Sequence, residues 1–171
     1  MTAMTIEKLA ELLKYGGAVG AGGAGFPSYA KLNSNADTII LNCAECEPIL
    51  RLHRQVLEKY AFEITDALEV IAAAVGAERV IIALKKSYTG ALAAAEAAVE
   101  KHVNNENNIK FEIKCLPEVY PSGDEVVTIY ETTGRVVPPG KIPISVGVTV
   151  FNVETALNIY NIIENNAPVT H

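Results

Sequence analysis

The chain is poor in the residues that most familiar catalytic and binding motifs require. It has only three cysteines and three histidines in 171 residues. An odd cysteine count argues against a disulfide framework and for a reducing compartment. A structural zinc needs four ligands and a cubane iron–sulfur cluster four thiolates. Cys43-x-x-Cys46 offers two, and Cys115 and the histidines bring no partner motif, so no metal site is expected. A redox dithiol usually sits on a helix, whereas this pair is followed by Glu47-Pro48; the two cysteines read as small, soft packing groups at a strand end. Basic residues are also scarce. Fourteen Lys and Arg against twenty Asp and Glu give a net charge of −6, and without a dense basic stripe a nucleic-acid footprint is excluded. No apolar run reaches the roughly 18 residues of a membrane span, so no direct membrane insertion is expected. The start, MTAMTIEK, is amphipathic and acidic, unlike a signal peptide. Ser122 has no convincing base for a nucleophile triad. His53 and His102 stand alone among helical residues and read as surface groups. With half its residues hydrophobic and a fifth charged, the chain is expected to be a soluble cytoplasmic domain, 1–171, able to bury a core.

What the chain does have is glycine, concentrated in one stretch. Val19–Lys31 reads VGAGGAGFPSYAK, with Gly20, Gly22, Gly23 and Gly25. Gly20, Gly22 and Gly25 match G-x-G-x-x-G, and Glu45 follows at the spacing of a ribose-binding acid. A dinucleotide fingerprint, however, follows a strand and opens a helix; this one follows a helical segment, and no long apolar-periodic helix comes after Pro27. The remaining readings are a flexible connector or a cradle whose backbone N–H groups hold an anion.

Helix and strand alternate along the rest. Thr5–Tyr15 reads as a helix with Ile6, Leu9, Leu12 and Leu13 on one stripe and Gly16-Gly17 as its stop. Asp37–Asn42 is a buried β-branched strand, ending in the polar cluster Asn42-Cys43-Ala44-Glu45-Cys46-Glu47-Pro48. A helical period runs from about Gln55 to Val75 and stops at Gly76. Arg79–Leu84 is a second buried strand, ending in Lys85-Lys86, which could meet a phosphate or be a solvated strand end. An alanine-rich helix spans Thr89–Val103. Lys110–Leu116 alternates apolar and polar, as an edge or half-covered strand does. Ser122 and Glu125 fit a capping box opening a helix to Thr133. The proline-rich loop Arg135–Val146 could lie across a site as a cover. Val148–Phe151 is the last strand, and Asn152 starts a helix with Thr155 in its first turn. The pattern predicts an α/β class: a Rossmann-like three-layer domain with a small, mainly parallel sheet flanked by helices.

Combined at one rim of such a sheet, these loops offer a glycine cradle, strand-end carboxylates, a Tyr-x-x-Gly-Asp-Glu turn and an Asn-capped helix N-terminus suited to a phosphate. There is no acid/base pair or nucleophile. A cofactor that carries the chemistry itself fits that lack.

GAGGAGFPSYAK, NCAECEP, YPSGDE and FNVETA, in this order and at these separations, resemble one family. It is that of the FMN-binding domains of the complex I 51-kDa subunit, the C subunit of the Rnf complex and the cobalamin reductase of propanediol-utilisation organelles. The run from Leu116 to Gly147 is similar to the cobalamin reductase almost throughout. The resemblance implies non-covalent FMN that takes hydride from NADH and passes electrons to iron–sulfur centres. By position, it implies that Gly20, Gly22, Gly23 and Lys31 line the flavin phosphate and ribityl chain. Asn42 would meet the polar edge of the isoalloxazine, with Glu45 and Cys46 near the ribityl or ring. Tyr120, Gly123 and Asp124 would border the ring, Asn152 and Thr155 would hold the phosphate, and Phe26, Glu47 and Glu125 would face NADH. No residue is implied to be catalytic, since the chemistry is the flavin's.

There are departures. Ala21 and Ala44 stand where complex I has arginine and aspartate, though the Rnf-like branch also lacks these, and His53 replaces an aspartate common to the branches. Phe151 replaces the first of two asparagines; losing such a charge-assisted hydrogen bond costs about 1–3 kcal/mol, or about 10–100-fold in affinity. Relatives continue into β-grasp and cluster-bearing modules beyond the point where this chain ends, so a fragment is expected, or a protein whose iron–sulfur partner lies on another chain. The alternative is a cofactor-free scaffold that keeps the fold for docking.

Overall fold

A computed structural model describes residues 4–21, 25–47 and 49–169. Four strands, β1 (Thr38–Asn42), β2 (Arg79–Lys85), β3 (Lys110–Leu116) and β4 (Val148–Asn152), form one parallel sheet in the order β3-β2-β1-β4. The helices are α1 (Ile6–Tyr15), α2 (Leu52–Val75), α3 (Thr89–Lys101), α4 (Glu125–Thr133) and α5 (Val153–Asn165), with short 3₁₀ turns at Ser28–Lys31 and Pro143–Val146. The expected α/β three-layer class is what the chain adopts.

Alternation along the strands sorts the core into two unequal halves. Ile39, Leu41, Val80, Ile82, Leu84 and Phe151 face the layer made by α1, α2, α3 and α5. Ile40, Ile81, Ala83, Val148 and Val150 face the other way, against Ile129 of α4 and Val137. The chain steps from β1 to β3 with α2 and α3 on one face and returns to β4 with α4 on the other. Right-handed crossovers demand that switch of face when direction reverses. Strand order therefore reverses between β1 and β4, the position where open α/β sheets bind ligands at the carboxyl ends of the strands.

β3 lies at the edge, as its alternation predicts, and Lys110 and Lys114 are exposed there; charge on an edge discourages pairing with other chains. On the outer side of β4, Lys31 covers the strand: its Nζ donates to the Val150 carbonyl at 2.7 Å, and its own carbonyl accepts from the Thr149 hydroxyl at 3.3 Å. Gly76 and Gly134, at φ 78° and 73°, end α2 and α4 in the left-handed conformation that favours glycine.

Several expectations need correction. α2 begins at Leu52 rather than near Gln55, because the Glu45 carboxylate accepts the His53 amide at 2.9 Å and serves the helix start from a preceding loop. Ser122 caps nothing. Asp124 is the N-cap of α4, accepting the Val126 and Val127 amides at 2.9 and 3.1 Å, while the Ser122 hydroxyl turns back to the Pro117 and Val119 carbonyls. His102 is not a surface group. Only 4% exposed, it stacks on Phe111 and sets its ring nitrogens 2.7 Å from Glu69 Oε2 and 3.1 Å from Thr65 Oγ1.

The proline-rich segment is anchored away from the site. Arg135 Nη1 donates to Asp37 Oδ1 at 2.8 Å and to the Val146 carbonyl at 2.8 Å, which pins both ends at the amino-terminal edge of β1 and β4. Val137, between them, is buried against the sheet. It closes the thin layer and covers no carboxyl-end cleft at these anchors.

Candidate functional site

Asn42 and Asn152 end β1 and β4 as register partners, and each side chain reaches to a different loop. Asn42 Nδ2 donates to the Gly123 carbonyl at 2.8 Å, and its Oδ1 accepts the Ala44 amide at 3.0 Å. Asn152 Oδ1 accepts the Thr155 amide at 2.7 Å, the N-cap of α5, and its Nδ2 donates to the Ala21 carbonyl at 2.5 Å. Thr155 Oγ1 accepts the Ala21 amide at 3.0 Å. The glycine loop is thus stitched to the start of α5 through both backbone groups of Ala21. At its base the loop is closed by Gly20 N–H to the Phe26 carbonyl at 2.8 Å and Ser28 N–H to the Ala18 carbonyl at 2.9 Å.

Four separated turns therefore meet at one rim and enclose a cleft of about 350 Å³. Gly20, Phe26, Lys31, Asn42, Gly123, Glu125, Asn152 and Thr155 line it, all of them candidates from the sequence, together with Val150 and Phe151 of β4. A second cleft of about 570 Å³ holds the remaining candidates Glu45, Cys46, Glu47 and Tyr120, with Arg54, Lys85, Tyr88 and Glu118. Both clefts open on the turn where Gly123 presses on the Asn42–Glu47 segment. A Cβ at Gly123 would lie 2.8 Å from Cys46 Sγ and collide with the Ala44 carbonyl. This is a glycine required by close backbone approach. Asp124 borders the same turn as the α4 cap. Gly22 and Gly23 lie outside the described residues.

Lys31 is the cation of the first cleft. Its Nζ sits 3.8 Å from Glu125 Oε1 and over the rings of Phe151 and Phe26 at 5.7 and 6.0 Å. Burial pushes its pKa down, against the pull of Glu125. An ammonium has three donors; one goes to Val150, and at most one more is aimed at Glu125. In the second cleft Glu45 is the buried acid. Its Oε1 accepts from His53 N–H, and its Oε2 stands 3.4 Å from Arg54 Nε without a well-formed hydrogen bond. Arg54 lies over the Tyr88 ring at 4.7 Å, and Lys85 Nζ donates to the Glu45 carbonyl at 3.2 Å. Burial, reinforced by the Glu45 charge, drives the Cys43 thiol pKa up, so this cysteine is a packing group and no ready thiolate. Among the described residues no group of three or more His, Cys, Asp and Glu side chains is placed to hold a metal ion, and no helix is long and apolar enough to cross a membrane.

Residue reading missed Ala21, whose backbone is the point of attachment, and Arg54 and Tyr88, whose partners are distant in sequence. Of the lysine pair, Lys85 faces the second cleft while Lys86 is exposed.

Fold and site define a class: α/β domains that seat a nucleotide-like group at the switch point of a parallel sheet. Within it, the chain belongs to the family of the Nuo51 FMN-binding domain, whose model matches residues 13–161, a family of oxidoreductase electron-transfer proteins. The cobalamin reductase PduS of Citrobacter freundii is 42% identical over 99% of this chain and 37% of its own length. The C subunit of the ion-translocating oxidoreductase complex of Edwardsiella ictaluri is 34% identical over 98% of this chain and 20% of its own length. Among solved structures, a chain of the NAD+-reducing [NiFe]-hydrogenase in its air-oxidised state superposes with a TM-score of 0.82 at 29% identity, covering 96% of this chain and 31% of the other. The chain thus spans between about a fifth and somewhat over a third of the length of these relatives.

The first cleft gathers groups suited to an anion. Among the described residues Lys31 keeps a donor unspent, and the Val153 and Glu154 amides at the start of α5 have no intrahelical acceptor. Glycine at position 20 leaves the wall free of side chain, and Phe26, 47% exposed, offers an aromatic face.

Proposed function

We propose that this domain holds FMN across the carboxyl ends of β1 and β4 and, with its partner domains, oxidises NADH and passes electrons to iron–sulfur centres on another domain or subunit. The observation that carries the reading is the double attachment of Ala21 to Thr155 and Asn152, which fixes this end of the glycine loop beside a cleft that already holds a partly buried ammonium. When bound, FMN supplies hydride acceptance in a two-electron step and electron release one at a time.

The chain's own residues bind and orient. Lys31 and the α5 amides take the phosphate, with Gly20, Gly22 and Gly23 giving it room. Thr155 can add a donor, because its oxygen already accepts from Ala21 and its proton is not committed there. Asn42, fixed by Gly123 and Ala44, presents its edge to the ring system, with Glu45 and Cys46 beyond it and Tyr120, Gly123 and Asp124 along the border. Phe26 and Glu125 line the first cleft and Glu47 the second, so a dinucleotide touching all three would cross the divide at Gly123. The domain assigns no proton transfer to a side chain.

The test is reconstitution. FMN added to the protein should bind stoichiometrically with quenching of its fluorescence, and NADH should bleach its visible absorption. A protein that ignores micromolar FMN ends the reading.

A second reading, a cofactor-free docking scaffold, is favoured by Phe151 in place of a donor and by the way Asn42 and Asn152 are already satisfied within the chain. Gly22→Leu separates the two. It should abolish flavin uptake under the first reading and leave association with partner subunits intact under the second.

A further inference from the structure

We propose that Phe151 is a positioning residue: its ring, with that of Phe26, clamps the Lys31 ammonium at the floor of the first cleft so that the cation meets the anionic end of the cofactor. The proposal rests on the FMN reading for the identity of that anion, and on the geometry alone for the clamp.

Phe151 is 1% exposed and ends in the core, yet its ring also lies 5.7 Å from Lys31 Nζ, with the half-exposed Phe26 ring at 6.0 Å. Burial works against the ammonium. Among the described residues few groups compensate: a carbonyl at 2.7 Å, and a carboxylate at 3.8 Å that is itself nearly half exposed. Glu125 on α4 is the charged neighbour among the described lining residues. Asn42 from β1, Asn152 and Thr155 at the start of α5, and Gly20, Gly25 and Phe26 of the loop carry no charge. A second carboxylate would stabilise the ammonium but cancel its field. The negative face of an aromatic ring stabilises it and leaves the net positive charge intact. Two rings and one carbonyl thus hold a cation ready for an anionic ligand.

Fluorination separates clamp from filler. Replacing Phe151 with 4-fluoro- and then 3,4,5-trifluorophenylalanine keeps its shape and progressively weakens the ring face. Two quantities are read: the titration midpoint of Lys31 in the flavin-free protein, by heteronuclear NMR, and FMN affinity, by fluorescence quenching. The midpoint should fall stepwise through the series, and FMN affinity at neutral pH should weaken about 3–10-fold by the trifluoro variant. A midpoint that stays put across the series overturns the clamp. A midpoint that falls while FMN affinity is unchanged overturns the role toward the cofactor. If the unmodified protein takes up no FMN, the flavin reading fails, and the clamp is decided by the Lys31 titration alone.

Discussion

Thr155 Oγ1 accepts the amide N–H of Ala21 at 3.0 Å across 134 residues of chain. The bond ties the glycine loop to the first turn of α5, and Asn152 secures the same residue from its carbonyl side.

Thr155→Val keeps the shape of the side chain and removes the acceptor. It leaves the Ala21 amide unpaired in a partly buried place, a loss of about 1–3 kcal/mol. Because the loop is one wall of the cleft, the loss should appear as weaker FMN binding, by about tenfold, and as faster hydrogen exchange of the Ala21 amide. Unchanged exchange at Ala21 would show that the bond is not what holds the loop.

At Gly123 the same rim is held by lack of a side chain. Gly123→Ala would push a methyl against Cys46 Sγ, which can rotate away, and against the Ala44 carbonyl, a backbone atom that cannot. Overpacking of this kind costs about 1–3 kcal/mol. The Asn42–Gly123 hydrogen bond should break with it. The expected outcome is a lower urea midpoint together with lost flavin uptake; a variant that binds FMN like the parent would separate the turn from the cofactor site.

Strands β1 and β2, the stop of α1 and the start of α5 were legible because their signals are local: β-branched runs, Gly16-Gly17 behind one apolar stripe, and Asn152 before another. Ser122 misled because S-x-x-E matches a capping box, while Asp124, two residues later, has the shorter reach to the free amides and takes the role. His102 was illegible for a different reason. Its partners Glu69 and Thr65 lie 33 and 37 residues upstream on another helix, and no local pattern marks a histidine that packing will bury. Arg135 and Asp37 are 98 residues apart, so the proline-rich segment read as a cover until that pair fixed its ends. The convergence of four turns on one rim followed from the parallel α/β reading, which puts strand carboxyl ends and helix starts on the same edge; the identity of the group they hold came only from the linked motifs of the family resemblance.

His102 gives a test of stability that should spare the site. It joins α3 to Glu69 and Thr65 of α2 and to Phe111 of β3 at the amino-terminal end of the sheet, away from the clefts. His102→Ala removes the stack and leaves a buried hydroxyl and a carboxylate short of a partner, so unfolding free energy should drop by about 2–4 kcal/mol. Distant sites contribute independently, so FMN affinity should stay within about twofold. Chemical denaturation and flavin titration of the same sample decide it.

Acid should unfold the domain partly through its amino-terminal edge. Burial of Asp37 works to raise its pKa, but the hydrogen bonds from Arg135 and Thr38, with the charges of Arg135 and Arg79, outweigh it and hold the carboxyl below its usual range. Glu112 is lowered foremost by the hydrogen bond from Arg79, against a smaller opposing effect of burial. A carboxylate depressed in the folded state stabilises it fully above its unfolded pKa, about 4 for these residues. Below that, the unfolded chain binds protons first, and the contribution disappears as pH falls through the folded value. Asp37 is half exposed, so screening keeps its share modest. Urea midpoints measured from about pH 6 to about pH 2.5 should fall less steeply for Asp37→Asn than for the parent. The Asp37→Asn variant should also start from a lower midpoint at pH 6, where the parent carboxylate is ionised and paired. Parallel curves for the two proteins would remove Asp37 from the acid transition and leave the Arg135 contact as geometry without electrostatic consequence.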